Sequence, residues 1–178
     1  MFTLDLTNRL TLIQSLPDTF EVGVELGVAN ADFSEMILAN SKLKKLFSID
    51  PWCENPLLKH WDKAWLVSVS KLSKFKDRSE LIRALSQNAV DKFSDESIDF
   101  IYLDSLHSYE HVSLELKLYS PKVKKGGIIS GHDYGPNWQG VERAVKEFSK
   151  STGSPVFLTG KGAPLDGKEH SWVILKNQ

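Results

Sequence analysis

The sequence is nearly free of cysteine. Cys53 is the only one among 178 residues, so no internal disulfide can form, and a reducing, cytoplasmic location is expected. No apolar run approaches the ~20 residues that a membrane-spanning helix needs. The first residues, Met1–Asp5, include an acid and lack the basic stretch that begins a signal peptide. We therefore expect a cytoplasmic protein with no membrane partner.

The sequence also lacks a net charge of either sign. Its 22 lysine and arginine residues are balanced by 23 aspartate and glutamate residues. Such a chain has no overall field to hold a nucleic-acid backbone, so we expect a small-molecule partner and no nucleic acid. A homo-oligomer is compatible with this composition. With 41% hydrophobic residues the chain can bury a core, and we expect one domain, residues 1–178, that begins with a helical segment at 1–20.

Apolar runs alternate with stretches of helical periodicity along most of the chain. Seven runs are predicted to be strands: Glu21–Leu26, Leu46–Ile49, Ser79–Ala84, Ile98–Leu103, Gly127–Ser130, Ser154–Thr159 and Ser171–Lys176. The helices predicted between them are Phe33–Ala39, Leu57–Leu72, Asn88–Phe93, Tyr109–Tyr119 and Gly140–Ser149. A polar loop too short for a crossover helix joins the last two strands and favours an antiparallel hairpin. The predicted fold class is α/β: a doubly wound, Rossmann-like, seven-stranded sheet with helices on both faces and a C-terminal hairpin.

The ends of the first two predicted strands carry a glycine turn and an acid. The run Val22–Gly27 leads directly into a helix, and the next strand ends at Asp50. In open α/β sheets these two strand ends form the place where a nucleoside-bearing cofactor binds. Gly27 lets the backbone approach a ligand without a Cβ, and the Asp50 oxygens suit the paired hydroxyls of a ribose.

A second group of polar residues follows the fourth and fifth predicted strands. Asp104 and His107 follow the fourth, and His132 and Asp133 follow the fifth. If these strands are parallel to the first two, all four residues converge at one edge of the sheet. Two carboxylates with a histidine can hold a divalent metal, and a further histidine can serve as a base. Each of these residues also has a structural interpretation when it is taken singly. Asp104 could cap the next helix, and each histidine could make a structural hydrogen bond.

Several of these segments resemble a known enzyme family. Glu25–Ser34 and Ser48–Trp52 are similar to the first two motifs of class I S-adenosylmethionine-dependent methyltransferases. Further similarity is found in Phe93–Glu110, Lys125–Tyr134 and Gly140–Phe148. Together they resemble the small methyltransferase family related to macrolide-sugar O-methyltransferases, over about residues 20 to 150. The resemblance implies O-methylation of a small molecule.

The resemblance also implies roles for individual residues. Those expected to contact S-adenosylmethionine are Glu25, Gly27, Asp50, Ser86 and Asp104. Glu25 and Gly27 would hold its methionine part, Asp50 its ribose and Ser86 its adenine. A divalent metal, magnesium or manganese, would bind Asp104, His132 and Asp133, and His107 would be the catalytic base.

The chain departs from the family pattern at two positions. Ala31 stands where many relatives have glycine, which tightens the cofactor turn. His132 stands where the sugar enzymes have an acid, so a manganese or other transition ion is favoured over magnesium.

Two other function classes fit part of the sequence pattern. A nicotinamide-dependent oxidoreductase is disfavoured because Gly27, Ala29 and Ala31 give one glycine where the dinucleotide pattern has three. A non-catalytic cofactor-binding domain is a further alternative. Four tryptophans have open roles. Trp52, Trp61 and Trp65 lie near the place where a substrate or adenine would rest, and core or lid packing is the alternative for Trp61 and Trp65. Trp138 lies in the loop after the fifth strand, where it could cover a substrate.

Overall fold

The computed structural model describes residues 3–52, 60–160 and 169–177. The strands are β1 Val22–Leu26, β2 Lys45–Asp50, β3 Ser79–Arg83, β4 Ile98–Leu103, β5 Val123–Tyr134, β6 Val156–Leu158 and β7 His170–Leu175. The α-helices are α1 Arg9–Gln14, α2 Asp32–Asn40, α3 His60–Leu72, α4 Ser86–Ala89, α5 Tyr109–Tyr119 and α6 Gln139–Thr152. Within these ranges, no helix has the length and apolar character needed to cross a membrane.

All seven strands form one sheet in the order β3-β2-β1-β4-β5-β7-β6. The first five in this order are parallel to one another, whereas β7 is antiparallel to both β5 and β6. The predicted seven-stranded α/β sheet with a C-terminal antiparallel hairpin is therefore confirmed. Because β1 to β5 are parallel, their carboxyl ends lie at one edge of the sheet, where ligands bind in folds of this class.

Two predicted elements differ clearly from the structure, and one cannot be compared at its start. Strand β5 begins at Val123, well before the predicted Gly127, because the polar Lys124–Gly126 segment is also extended. The helix predicted at Asn88–Phe93 is instead the short α4, followed by a 3-10 turn over Val90–Lys92. The start of the predicted helix Leu57–Leu72 lies outside the described residues, as do Cys53 and the side chain of Trp61.

The N-terminal segment packs against the sheet through α1. Asn8 caps this helix by accepting a hydrogen bond from the Thr11 backbone N–H, and the Thr11 side chain accepts one from the Asn8 N–H. Leu12 and Ile13 are fully buried in the core on the side of the sheet that α2 and α3 also cover. The helix is shorter than the segment 1–20 suggested, but it reaches the carboxyl edge of the sheet through its first residue, Arg9.

Candidate active site at the carboxyl edge of the sheet

The turn after β1 depends on Gly27. Its φ of +85° lies in the left-handed region, and an added Cβ would lie 2.1 Å from the carbonyl oxygen of Asp104. The Gly27 N–H donates to Ile49 on β2, and the Asp104 N–H donates to Leu26 on β1. The turn is therefore fixed between both neighbouring strands. The close approach that requires glycine here is to the end of β4.

The rest of this turn has the backbone of a glycine-rich loop although it carries alanines. Ala29 has φ +49° and Ala31 has φ +57°, both left-handed. Such conformations are unfavourable for residues with a Cβ, by roughly 1–2 kcal/mol each. The alanine side chains thus leave the path of the loop unchanged and add strain, which the contacts of the loop must offset.

Asp50 supplies much of that stabilisation. Its Oδ2 atom accepts hydrogen bonds from the backbone N–H groups of Val28 (2.8 Å) and Ala29 (3.1 Å). Its Oδ1 atom accepts the N–H of Trp52 at 2.7 Å. The predicted ribose ligand is therefore also the residue that ties the turn after β1 to the end of β2.

Glu25 is buried beneath the same turn. Its carboxylate accepts a hydrogen bond from the Ser34 hydroxyl, which in turn accepts one from Ser48. Burial raises the pKa of Glu25 to about 8, and the Ser34 hydrogen bond and the charge of Arg9 act in the opposite direction. The structure thus places this predicted cofactor residue beside Ser34 in the core.

Trp52 and Trp65 belong to the support of the turn. Trp52 is fully buried, and its indole N–H donates to the Ala29 carbonyl at 2.9 Å. Ser68 of α3 donates to the same carbonyl, and Trp65 packs edge-on against Trp52. These two tryptophans therefore have a packing role, which was the alternative for Trp65.

Ser86, the predicted adenine contact, opens α4 just beyond β3. It is buried, and its carbonyl accepts a hydrogen bond from the Tyr119 hydroxyl at 2.7 Å. Since β3 is next to β2, Ser86 follows the strand adjacent to the one that ends at Asp50.

Asp104, His107 and Asp133 meet at the ends of β4 and β5. His107 Nε2 lies 2.6 Å from Asp133 Oδ2 and 3.7 Å from Asp104 Oδ1. One potential ligand atom from each of the three residues lies within 4.8 Å of the others. The side chains are partly exposed, between 14% and 27%, whereas the Nε2 atom of His107 is buried between the two carboxylates.

The charges of this cluster stabilise one another. Hydrogen bonding to Asp104 and Asp133 raises the pKa of His107 to about 9. Burial alone would raise the pKa of Asp133, but hydrogen bonds from His107 and His132 outweigh it and hold that pKa well below its usual value. In the ligand-free protein at neutral pH, His107 is therefore an imidazolium and Asp133 a carboxylate.

His132 lies on the other side of Asp133. Its Nδ1 atom is 3.2 Å from Asp133 Oδ1, the carboxylate oxygen that does not face His107. The structure thus brings Asp104 and Asp133 together with His107, and places His132, the predicted third metal ligand, outside that group of three.

Trp138 covers His107. It belongs to the turn after β5, its ring centroid is 4.3 Å from that of His107, and 39% of the residue is exposed. Leu106, which is also exposed, follows β4 nearby in the chain. The charged cluster is therefore flanked by apolar surface.

Two further buried residues at this edge were missed from the sequence. Arg9 is 4% exposed, its guanidinium lies 4.6 Å above the Phe33 ring, and its Nη1 is 3.8 Å from Asp104 Oδ2. Glu115 on α5 accepts hydrogen bonds from Ser105 and pairs with His111. No sequence motif pointed to Arg9, whereas the i,i+4 spacing of His111 and Glu115 in a predicted helix was a usable signal.

Comparison with known proteins gives the same fold and a family. Residues 20–134, more than half of the chain, match the family described as "Methyltransferase domain". An uncharacterized protein of Acanthamoeba polyphaga mimivirus is 29% identical over 133 residues, which cover 69% of this chain. The chain spans 58% and 12% of the lengths of the two curated relatives it matches.

Solved structures with this fold include an rRNA methylase of Streptococcus thermophilus, with a TM-score of 0.68, 16% identity and coverage of 96% of this chain and 95% of that one. The O-methyltransferase of Bacillus cereus in complex with S-adenosylhomocysteine has a TM-score of 0.68 and 13% identity, and the match covers 97% and 84% of the two chains. These similarities show a shared fold. The family match shows that the chain belongs to the methyltransferase domain family.

Proposed function

We propose that this methyltransferase transfers the methyl group to an oxygen atom of a small molecule. The observation that carries the proposal is the cluster of Asp104, His107 and Asp133 beside the Gly27 turn. It puts carboxylates and a titratable imidazole next to the strand ends where a cofactor of this fold binds. The family match favours this activity over the nicotinamide-dependent oxidoreductase.

The cofactor would lie across the ends of four strands, β1 to β4. Asp50 on β2 would accept the ribose hydroxyls, Ser86 beyond β3 would contact adenine, and Glu25 and Gly27 of β1 would face the methionine part together with Asp104. Asp50 already accepts three backbone N–H groups, and a carboxylate offers about four lone-pair sites, so it retains capacity for a ribose hydroxyl. S-adenosylmethionine supplies a methyl group made electrophilic by its sulfonium.

The donor set also fits a divalent cation. Asp104 and Asp133 each offer carboxylate oxygens. His107, the third residue of the group, is kept as the base, so the nitrogen donor would come from His132, whose Nδ1 lies 3.2 Å from Asp133 Oδ1. Mixed oxygen and nitrogen donors suit manganese or another transition ion better than magnesium, which prefers oxygen ligands alone. A cation held there would lower the pKa of an acceptor hydroxyl.

The residues of the cluster would position the acceptor and take its proton. As the acceptor oxygen forms its bond to the methyl carbon, the bond from carbon to sulfur breaks, and its electron pair stays on sulfur. The acceptor proton passes to His107 Nε2, the candidate base. His107 must be neutral for this step, and its pKa of about 9 means that neutral imidazole increases as pH rises. A cation that engages Asp104 and Asp133 would favour the same neutral form.

The surroundings of the cluster support a small acceptor, and the single cysteine favours a cytoplasmic setting. Trp138 and Leu106 offer apolar surface beside the charged residues. The near-zero net charge gives no general affinity for nucleic acid. We therefore propose a small hydroxylated acceptor, with chain 1–178 acting as one domain; a homo-oligomer is compatible with these features.

The proposal is tested by combining binding and turnover measurements. Calorimetry should show binding of S-adenosylhomocysteine, and mass spectrometry should detect a mass increase of one methyl group in members of a panel of hydroxylated compounds. Chelation should lower turnover, and manganese should restore it more fully than magnesium. Full activity after exhaustive chelation, with no metal recovered by elemental analysis, would exclude the metal. Methylation of RNA but of no small molecule would overturn the proposed acceptor class.

A further inference from the structure

A cavity of about 300 Å³ lies between α6 and the sheet, away from the candidate active site. Its floor is the cross-strand pair of Ile129 on β5 and Ile174 on β7, which lie directly opposite each other. Phe148 and Thr152 of α6 form one wall, and Lys176 follows the end of β7 at the mouth. Because β7 is antiparallel to β5, its end lies at the amino edge of the parallel strands, opposite to the carboxyl edge.

The sequence of α6 explains why this space is unfilled. Val141 and Val145 are buried against the sheet, and Phe148 continues their stripe one turn later. The next position of the stripe is Thr152, which is small and polar where a large apolar residue would cover the strand pair. Gly153, with a left-handed φ of +69°, then ends the helix. The last turn of α6 thus leaves the floor of the cavity uncovered.

The size of the cavity indicates a ligand site. Voids in native cores rarely exceed the size of a water molecule, because the atoms that line a void lose their packing contacts. Sites for small molecules have volumes of about 300–1,000 Å³, so this cavity is at the lower end of that range. Ile129 and Ile174 are almost fully buried, whereas Thr152 and Asn177 at the rim are exposed. The cavity therefore combines an apolar floor with an opening to solvent.

Lys176 gives the mouth of the cavity a positive charge. Its Nζ atom donates to the Val123 carbonyl at 2.6 Å, which uses one of the three N–H donors of the ammonium group. Lys124 at the same edge pairs with Asp99, but within the described part of the chain no acid pairs with Lys176. The described residues that line the cavity include this cation and no anion. A carboxylate beside Lys176 would make a charge-assisted hydrogen bond.

We propose that this cavity binds a small amphipathic carboxylate, with its hydrocarbon chain on the Ile129–Ile174 floor and its carboxylate at Lys176. The site is separate from the cluster at the ends of β4 and β5, and the inference does not rest on the proposed function. A neutral alcohol of the same length would bury the same apolar surface and make no ion pair. The apolar and the ionic contributions can therefore be measured separately.

The first test measures binding of octanoate, hexanoate and octanol to the full chain by calorimetry. Octanoate should bind saturably at one site. Hexanoate should bind about 10- to 15-fold more weakly, because each buried methylene group contributes about a fourfold gain in affinity. Octanoate that shows no saturable binding, or that binds no more tightly than hexanoate, would overturn the proposal.

The second test removes the charge. In Lys176→Met, octanoate should bind about 5- to 10-fold more weakly, while octanol should bind with unchanged affinity. Lys125→Met is the matched control, because Lys125 is exposed on β5 at the same edge and does not line the cavity. It should leave both affinities at the wild-type values. Equal weakening in the two variants would show a general charge effect and overturn the role of Lys176.

The third test fills the cavity. Thr152→Phe extends the stripe of α6 over the floor, so it should abolish binding of octanoate and octanol without lowering the free energy of unfolding. Ser151→Phe adds the same ring at the neighbouring exposed position, which does not line the cavity, and should retain binding. In NMR titrations of the wild type, octanoate should shift the methyl signals of Ile129 and Ile174. Undiminished binding in folded Thr152→Phe, or saturable binding that leaves these methyl signals unchanged, would place the ligand elsewhere and overturn the proposal.

Discussion

Replacing Asp50 by alanine tests the link between the cofactor turn and its support. The carboxylate accepts backbone N–H groups from Val28, Ala29 and Trp52, and the bonds to Val28 and Trp52 are buried. Alanine offers no acceptor for these N–H groups, and Trp52 is fully buried. Each buried donor left without a partner costs about 1–3 kcal/mol, so we expect the free energy of unfolding to fall by about 2–6 kcal/mol.

The assay is urea unfolding followed by tryptophan fluorescence and circular dichroism. Asp91→Ala is the control, because Asp91 is exposed on a 3-10 turn and should change stability by no more than about 0.5 kcal/mol. A loss below about 1 kcal/mol for Asp50→Ala would refute the reasoning that its hydrogen bonds stabilise the turn.

Cofactor affinity of the folded Asp50→Ala protein gives a second, separate readout. Loss of a charge-assisted hydrogen bond to the ribose should weaken binding of S-adenosylmethionine by about 1.5–3 kcal/mol. Disorder in the turn would add to this loss. Unchanged affinity, measured below the unfolding transition, would remove Asp50 from the cofactor site even if its structural role were confirmed.

Three further substitutions test other parts of the site. Gly27→Ala should lower the free energy of unfolding by about 2–5 kcal/mol, because the added Cβ meets the Asp104 backbone. Ala29→Gly, at an exposed left-handed residue, should be neutral or stabilising by about 1 kcal/mol. Urea unfolding measures both effects. Burial raises the pKa of Glu25 from 4.5 to about 8, so the folded state binds this proton more tightly than the unfolded state does. The free energy of unfolding should therefore fall as pH rises between these values, by at most ~1.4 kcal/mol per pH unit. Thermal unfolding across that range should show a smaller slope in Glu25→Gln, and an identical slope would contradict the assignment. His107→Ala should lower turnover by about 10²–10⁴ with cofactor affinity retained, and an unimpaired rate per folded molecule would exclude it as the base.

The sheet was predictable because its strands obey a local rule. Strands buried on both faces read as continuous apolar runs, and Ile98–Leu103 is buried at every position. The same rule failed at the start of β5, where Lys124–Gly126 is polar and the predicted strand began only at Gly127. The Gly126 N–H donates to the Lys176 carbonyl, and the Lys176 N–H donates to the Gly127 carbonyl. These bonds hold the segment against the residue that follows β7, a long-range pairing that no local pattern encodes.

The convergence of the acids at one edge was also predictable, but the choice between the two histidines was not. Parallel strands bring Asp104 and Asp133 together whatever the side-chain conformations. Which histidine joins them depends on the backbone at Asp133, where φ is +57° and the pairing of β5 with β7 shifts register between Gly131 and Tyr134. Aspartate tolerates this conformation, but its use here is decided by tertiary pairing.

Arg9 shows the limit of reasoning from strand ends. The acids could be placed from the sequence because each follows a strand whose direction fixes its location. Arg9 comes from a short helix whose position depends on the packing of Leu12 and Ile13, and no periodic rule relates that packing to the end of β4. Yet an edge that gathers several carboxylates needs a cation to offset them, because like charges close together raise one another's free energy. A predicted site with charge of only one sign is therefore itself a reason to look for a buried residue of the other sign among the elements that pack over it.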